Sequence, residues 1–253
     1  MKTINYDNSG AYQEMARFYD TLMGSNKYPG WKDLIKDVLN KYSVKTGLCL
    51  DIACGTGNIS RLVAELGFEV VGLDLSMEMI KIAKDKIPSG DFIKADIRDF
   101  NLPLRYQSKI DLVVCFYDSL NYLLTDRELL DTFKSVYRNI QAGSIFIFDM
   151  NPMDHILTAQ KFKPRINEDK NFFSTFCFSG EGRFWILDMD FFVKNGNCFN
   201  HFKERHVERG YDQEDVLPLL KETGFKVLEV RTENKIYEDK QEHLSRLYFI
   251  VQK

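Results

Sequence analysis

Cysteine, proline and tryptophan are scarce in this chain, and no long apolar run interrupts it. Five cysteines (Cys49, Cys54, Cys115, Cys177, Cys198) form an odd, scattered set among 253 residues, with no C-x-x-C pair. Zinc-ribbon and thioredoxin readings lose their support, and no metal is expected. Cys49, Cys115 and Cys177 sit in apolar runs of strand type, where a buried free thiol is the ordinary outcome. A reducing, cytoplasmic setting fits. Apolar residues nowhere approach the roughly 18 uninterrupted positions of a membrane span. The opening MKTINYDNSGAYQEMARFYD has no apolar stretch of signal-peptide type, so no membrane partner is expected. Charge of one sign is lacking too: 34 Lys and Arg against 37 Asp and Glu leave a formal −3. Such a balance gives no general attraction for nucleic acid, and no basic stripe interleaved with aromatics compensates for it.

What is present is an ordinary globular composition, 44% hydrophobic and 28% charged, at a length that suits one large domain or one domain with an insertion. Residues 47–150 alternate short apolar runs with helical patterns. GLCLDIA (47–53), FEVVGLD (68–74), DFIKAD (91–96), KIDLVVCFY (109–117) and SIFIFDM (144–150) read as strands. Between them NISRLVAELG (58–67), SMEMIKIAKDKI (76–87, with Ser76 as N-cap) and residues 126–139 read as helices. Strands of this kind predict a mainly parallel α/β sheet with right-handed crossovers. The C-terminal end breaks the alternation. A helix over about 212–223 stops at Gly224, and FKVLEVR (225–231) and LSRLYFIVQ (244–252) follow as two strands with only a loop between them. They must be antiparallel, so an edge strand is expected to run against the other six of a seven-stranded sheet.

Residues 151–210 leave that rhythm. They hold ten of the 20 Phe together with Trp185, His155, His201 and His206. NFFSTFCFS, RFWILDMDFFV and NCFNHFKERHVERG read as three strands joined at Gly180-Glu181-Gly182 and Asn195-Gly196. A small antiparallel β insertion is expected there, with residues 1–150 and 211–253 forming a Rossmann-like domain.

The sharpest local signal is DIACGTGN (51–58), where a strand hands over to a helix. Gly55 and Gly57 let the backbone turn tightly and approach a ligand, and the helix N-terminus offers free N–H groups. A Walker A loop is excluded because no Gly-Lys-Ser/Thr follows. A dinucleotide fingerprint wants a third glycine where Ser60 stands. Asp51, four positions before Gly55, suits a ligand amino group better than a pyrophosphate. Asp74 ends the second strand, where an acid can accept from both ribose hydroxyls. Asp96-Ile97 ends the third, where an acid could take an adenine amino group and an apolar side chain could cover the ring. Read singly, each acid also fits a turn or helix-capping role. Together they gain force, since neighbouring parallel strand ends converge on one crevice.

These motifs, with the CFYDSLNYL run after the fourth strand, resemble the class I S-adenosylmethionine-dependent methyltransferases. The opening AYQEMARFYD, the insertion and the ending LLKETGF…LYFIVQK are similar to the small-molecule branch, which includes amino-sugar N-methyltransferases and glycine N-methyltransferase. The resemblance implies S-adenosylmethionine as cofactor. It implies that the Ala53–Gly57 loop holds the methionine part beside Asp51, that Asp74 and Leu75 meet the ribose, and that Asp96 and Ile97 flank adenine. Cys115 and Phe116 would line the methionine side. Tyr12 and Tyr19, in an N-terminal helix, would close as a lid, with Trp31 near them.

Methyl transfer needs proximity, alignment and exclusion of water, and an N- or O-acceptor needs somewhere to leave its proton. Tyr117, Asp118, Asn121 and Tyr122 after the fourth strand, Asp149 and Asn151 after the fifth, and Arg209 are the acceptor-side candidates. Period-two alternation places Phe202, Glu204, His206 and Glu208 on one face of a strand and His201, Lys203, Arg205, Val207 and Arg209 on the other. His206, between two acids, is the candidate base. The expected partner is a small-molecule acceptor, with a homodimer as an added possibility. The competing readings are an NAD-dependent oxidoreductase, which shares the strand–GxG–helix–acid layout, and a non-catalytic cofactor-binding module.

Overall fold

The computed structural model describes residues 8, 11–12, 14–23, 28–169, 172–237 and 242–253, without the side chains of residues 23, 28–29, 169, 234–237 and 242–244. Asn171, where the sequence starts the insertion's first expected strand, and the side chain of Leu244 lie outside the described residues.

The chain order is α1 (Tyr19–Met23), α2 (Tyr28–Lys41), β1 (Leu48–Ile52), α3 (Asn58–Glu65), β2 (Glu69–Asp74), α4 (Met77–Lys86), β3 (Asp91–Lys94), β4 (Ile110–Cys115), α5 (Asp126–Asn139) and β5 (Ile145–Met150). Then come α6 (Met153–Ala159), β6 (Arg165–Asp169), β7 (Phe172–Glu181), β8 (Phe184–Asn195), β9 (Cys198–Arg209), α7 (Gln213–Thr223), β10 (Lys226–Tyr237) and β11 (Glu242–Gln252). The helix boundaries follow their caps. Ser76 accepts from the Met79 N–H at 3.3 Å to start α4, Thr125 and Glu128 form a capping box on α5, and Gly224 ends α7 at φ +104°.

Seven strands form one sheet in the order β10-β11-β5-β4-β1-β2-β3. The five strands from β1 to β5 are parallel, while β11 is antiparallel to both β5 and β10. The reversed strand is therefore not the edge strand that the sequence led us to expect. β10 is the edge, and β11 lies inside it. The reason is apolarity: Phe249, Ile250 and Val251 are consecutive and fully buried, as only an internal strand covered on both faces requires. β10 alternates charged residues (Glu229, Arg231, Glu233) along a half-exposed edge.

Helices cover both faces. Phe133 and Val136 of α5 and Val216 and Leu220 of α7 pack against Leu50, Ile52, Phe146, Phe148 and Phe249. Trp31, Ile35 and Val38 of α2 and Ile59, Leu62 and Val63 of α3 pack against Cys49, Val114, Ile147 and Ile250. Because β1 is flanked by β2 on one side and β4 on the other, a crevice opens at the carboxyl ends of these strands.

The insertion is a four-stranded antiparallel sheet, β6-β7-β8-β9, preceded by α6. The sequence reading gave three strands and missed α6 and β6. β6 reads RINED, an exposed edge strand with no apolar alternation to announce it, and α6 has only seven residues. Pairing of Leu187 with His206, Met189 with Glu204 and Phe191 with Phe202 puts these six side chains on one face. That face receives Met15, Tyr12, Tyr19 and Leu22 from the N-terminal segment. The expected N-terminal helix starts later than Tyr12. Tyr12 occupies a turn at φ +60°, ahead of a 3-10 turn (Met15–Phe18) that runs into α1.

Candidate active site

A cavity of about 630 Å³ opens at the carboxyl ends of β1, β2, β3 and β4, within the range of small-molecule pockets. Its floor is the glycine loop. Ala53, Gly55 and Gly57 all take left-handed backbone angles (φ +55°, +53° and +80°) in the turn after β1. Only glycine tolerates this without strain, so Ala53 stores some. At Gly57 a Cβ would also stand 3.2 Å from that of Ala83. The Cys54 N–H donates to the Leu73 carbonyl at 2.9 Å and ties the loop to β2.

Two carboxylates frame this loop. Asp51 is buried to 1% exposure, borders the cavity, and accepts from Ser60 Oγ at 2.6 Å. Burial pushes its pKa up to about 7 against the Ser60 bond, and the nearby Asp74 charge adds to the rise. Asp74 accepts the Gly55 N–H on Oδ2 and the Ser76 N–H on Oδ1, both at 2.8 Å. Burial raises its pKa as well, opposed by those backbone bonds. Each Asp74 oxygen keeps acceptor capacity for a hydroxyl. The pair offers a carboxylate for a ligand cation and a second for a diol.

At the far end Asp96, Ile97, Arg98 and Glu128 line the cavity. The Arg98 guanidinium grips Asp96 through Nε and Nη2, the latter at 2.6 Å, and reaches Glu128 at 2.6 Å with Nη1. The Arg98 bonds hold the Asp96 carboxyl below the usual range against a partial burial.

The N-terminal segment closes the near side. Tyr12 and Tyr19 line the cavity with their rings edge-on, 5.8 Å apart. Asp20 of α1 accepts from Thr56 Oγ1 (2.7 Å), Asn58 Nδ2 (2.8 Å) and Lys86 Nζ (2.8 Å), latching the segment onto the glycine loop. Burial opposes ionisation of Asp20, but these donors together hold its carboxyl below the usual range.

From the cavity wall a hydrogen-bonded chain leads outward. Tyr12 Oη and Tyr122 Oη lie 2.7 Å apart, Tyr122 Oη is 2.8 Å from His206 Nδ1, and His206 Nε2 is 2.9 Å from Glu204 Oε2. Burial raises the pKa of both tyrosines well above the usual phenol value, so both stay protonated. Burial opposes ionisation of Glu204, but His206 and two backbone N–H groups outweigh it and hold the carboxyl below its usual range. An ionised carboxylate only accepts, so His206 Nε2 carries a hydrogen. In the neutral imidazole, Nδ1 then accepts the Tyr122 proton.

Behind this wall lies a buried acidic group. Arg246 is ion-paired to Asp149 and reaches Asp118 at 3.3 Å, while Asn151 Nδ2 bridges Asp118 (2.7 Å) and Glu208 (3.1 Å). Two carboxylates share one guanidinium, and Asn151 ties the third to Asp118. Burial and then the Asp118 charge push the Glu208 pKa well up, and burial raises that of Asp149 against its Arg246 partner.

Of the residues singled out in the sequence, Tyr12, Tyr19, Asp51, Ala53, Gly55, Asp74, Leu75, Asp96, Ile97, Phe116, Tyr117 and Tyr122 line the cavity. His206 stands one side chain back, behind Tyr122. Gly57 and Cys115 sit beneath the wall; Cys115 is fully buried. Trp31 packs behind Phe116 and Tyr117, at 5.6 and 4.9 Å between rings. Asp118 and Asp149 belong to the Arg246 group. Asn121 is used up holding backbone, donating to the Asn151 and Arg209 carbonyls and accepting from the Asn151 N–H. Arg209 turns away to Asp126 at 2.7 Å, over the Tyr211 ring, as its place on the opposite face from His206 dictates. Asp20, Ser60, Arg98 and Arg246 were not singled out in the sequence. Ser60 alone carried a signal, a hydroxyl one turn into α3 where a dinucleotide fold has glycine.

Fold and cavity define a Rossmann-like α/β protein that takes a small molecule at its switch point. A family sequence model described as a methyltransferase domain matches residues 49–143. The methyltransferase-family protein YqeM of Bacillus subtilis (strain 168) is 34% identical over 247 residues, 96% of this chain and 97% of that one. A solved S-adenosylmethionine-dependent methyltransferase from Clostridium acetobutylicum ATCC 824 superimposes at a TM-score of 0.80 with 28% identity, covering 96% of this chain and 99% of its own. A dTDP-3-amino-3,6-dideoxy-alpha-D-glucopyranose N,N-dimethyltransferase of Streptomyces fradiae is 33% identical over 119 residues, 46% of this chain and 45% of that protein. The chain belongs to the methyltransferase family and is an S-adenosylmethionine-dependent enzyme. That membership displaces the NAD-dependent oxidoreductase alternative.

Proposed function

We propose that the enzyme methylates an amine nitrogen of a small molecule, with the acceptor held between the glycine-loop cavity and the insertion sheet. The observation that carries this reading is the chain from Tyr122 through His206 to Glu204, which begins at the wall of the cavity that Asp51 and Asp74 also line. S-adenosylmethionine supplies a methyl group on a positively charged sulfur. In this reading Asp51 takes the cofactor's ammonium, Asp74 its ribose diol, and Asp96 with Ile97 its adenine. The Tyr12–Tyr19 segment covers it and excludes water. Bound there, S-adenosylmethionine would give its methyl in line to an unprotonated amine nitrogen, its sulfur keeping the bonding pair. The nitrogen's proton passes to Tyr122 as Tyr122 gives its own to His206 Nδ1, and Glu204 balances the imidazolium charge.

One feature favours nitrogen. The Streptomyces fradiae relative is named for a dimethylation at an amino sugar nitrogen. Residues 151–210 then act as the substrate cover. The five free thiols suit a reducing cytosol. The test is transfer of radiolabelled methyl from S-adenosylmethionine into fractionated small-molecule extract. Label in fractions retained on a cation exchanger is expected. Label in neutral hydroxylated compounds, RNA or protein would overturn the reading.

A further inference from the structure

Glu204 sits where the N-terminal segment and the Tyr122–His206 chain meet. Its Oε1 accepts from the Glu14 N–H at 2.8 Å and the Met15 N–H at 2.6 Å. Its Oε2 accepts from the Tyr12 N–H at 3.0 Å and from His206 Nε2 at 2.9 Å. Backbone N–H groups converging on one carboxylate form an anion-binding concavity, and here the anion comes from a strand of the insertion. Met189 and Phe191 beside it seat Met15 and so hold the segment in register. Moving the segment away would strip Glu204 of three of these four donors and let water reach it. The Glu204–His206 bond would then stand open to competition from water, and Tyr122 would lose the Tyr12 hydroxyl that holds it against His206. The segment that covers the cofactor and the imidazole that serves the acceptor are therefore held by one carboxylate.

We propose that Glu204 is a positioning residue that makes closure of Tyr12, Glu14 and Met15 over the cavity and orientation of His206 a single event. The proton path on the acceptor side is then complete only over a closed cofactor cavity. This rests on the assignment of that cavity to S-adenosylmethionine.

The test is a double-mutant cycle read by the dissociation rate of S-adenosylhomocysteine from the full chain. Glu204→Gln keeps the side chain's volume but offers an NH₂ where backbone N–H groups need an acceptor. It is expected to speed release by about 10–100-fold, the scale of a lost charged hydrogen bond. His206→Phe keeps the ring against Tyr12 and removes both nitrogens. It is expected to speed release in the wild-type background and to have no further effect beside Glu204→Gln. Independent, multiplicative effects of the two substitutions would overturn the proposal, as would wild-type release rates in Glu204→Gln. Glu204 and His206 touch, so non-additive folding stability is expected in any case; non-additivity in melting temperature with additive effects on ligand release would overturn the proposal. Should Glu204→Gln fail to fold, amide exchange at Tyr12, Glu14 and Met15 decides: it must be faster in ligand-saturated His206→Phe than in wild type, and equal protection overturns the idea. Failure of the wild-type chain to bind S-adenosylhomocysteine is a separate result and strikes the cofactor assignment instead.

Discussion

Replacing Asp51 by asparagine should make the ligand-free protein more stable and a poorer cofactor binder, and the stability gain should depend on pH. The Asp51 carboxyl titrates near 7 in the folded chain, against about 3.9 when unfolded. A raised acid pKa means the folded state holds its proton where the unfolded state has released it. Below about pH 4 both states are protonated and the group contributes nothing. Between about pH 4 and 7 the penalty grows, and above 7 it is constant at about 4 kcal/mol, from roughly three pKa units at 1.36 kcal/mol each. The asparagine side chain would carry no charge and could still accept from Ser60 through its carbonyl oxygen. The gain over wild type should therefore rise by about 2–3 kcal/mol between pH 5 and pH 8. In a chain this long that is a melting-temperature difference widening by about 4–12 °C. The same substitution removes the carboxylate that faces the ligand ammonium, so the stabilisation conferred by S-adenosylhomocysteine should fall. Thermal melts of Asp51→Asn and wild type from pH 5 to 8, with and without ligand, measure both. A variant no more stable than wild type at pH 8, or one that keeps the full ligand-induced shift, would refute the reasoning.

Asp74→Ala should weaken S-adenosylhomocysteine binding by two charge-assisted hydrogen bonds, about 1.5–3 kcal/mol each, read by calorimetric titration, and should also lower the ligand-free melting temperature because the Gly55 and Ser76 N–H groups lose their acceptor. Arg246→Met should lower stability by about 3–5 kcal/mol because it leaves Asp149 and Asp118 without their cation, and adding Asp149→Asn should restore part of it in the same melt. Gly72→Ala should cost about 1–3 kcal/mol, since its Cβ would collide with the Phe92 ring and stand 2.9 Å from Cys54 Sγ, and the melting temperature should drop accordingly.

The α/β core was legible because its signals are local. Buried parallel strands are continuous apolar runs, the Ser76 hydroxyl starts one helix and Gly224, free of a Cβ, ends another, and Gly55 and Gly57 mark a turn that takes left-handed backbone. The acids at the ends of β1, β2 and β3 could be placed together because strand ends in such a sheet converge. The face that carries His206 followed from period two alone. What the sequence did not disclose depends on partners far along the chain. Arg246 is recognisable only once β11 lies beside β5, and Asp20 only once α1 reaches Thr56 and Lys86. Arg209 stood among the acceptor-side candidates although period two already put it on the face away from His206, where it pairs with Asp126. β6 was missed because an exposed edge strand needs no apolar alternation.

The central claim is that the transferred methyl faces Tyr122 beneath the insertion sheet. A crystal structure with S-adenosylmethionine bound tests it most directly. The expected result has the ammonium at Asp51, the ribose at Asp74, and the methyl carbon directed toward Tyr122, with space for an acceptor atom about 3–3.5 Å from that carbon. A methyl group pointing away from Tyr122 and the Glu204–His206 face, or a cofactor seated elsewhere on the sheet, would contradict it.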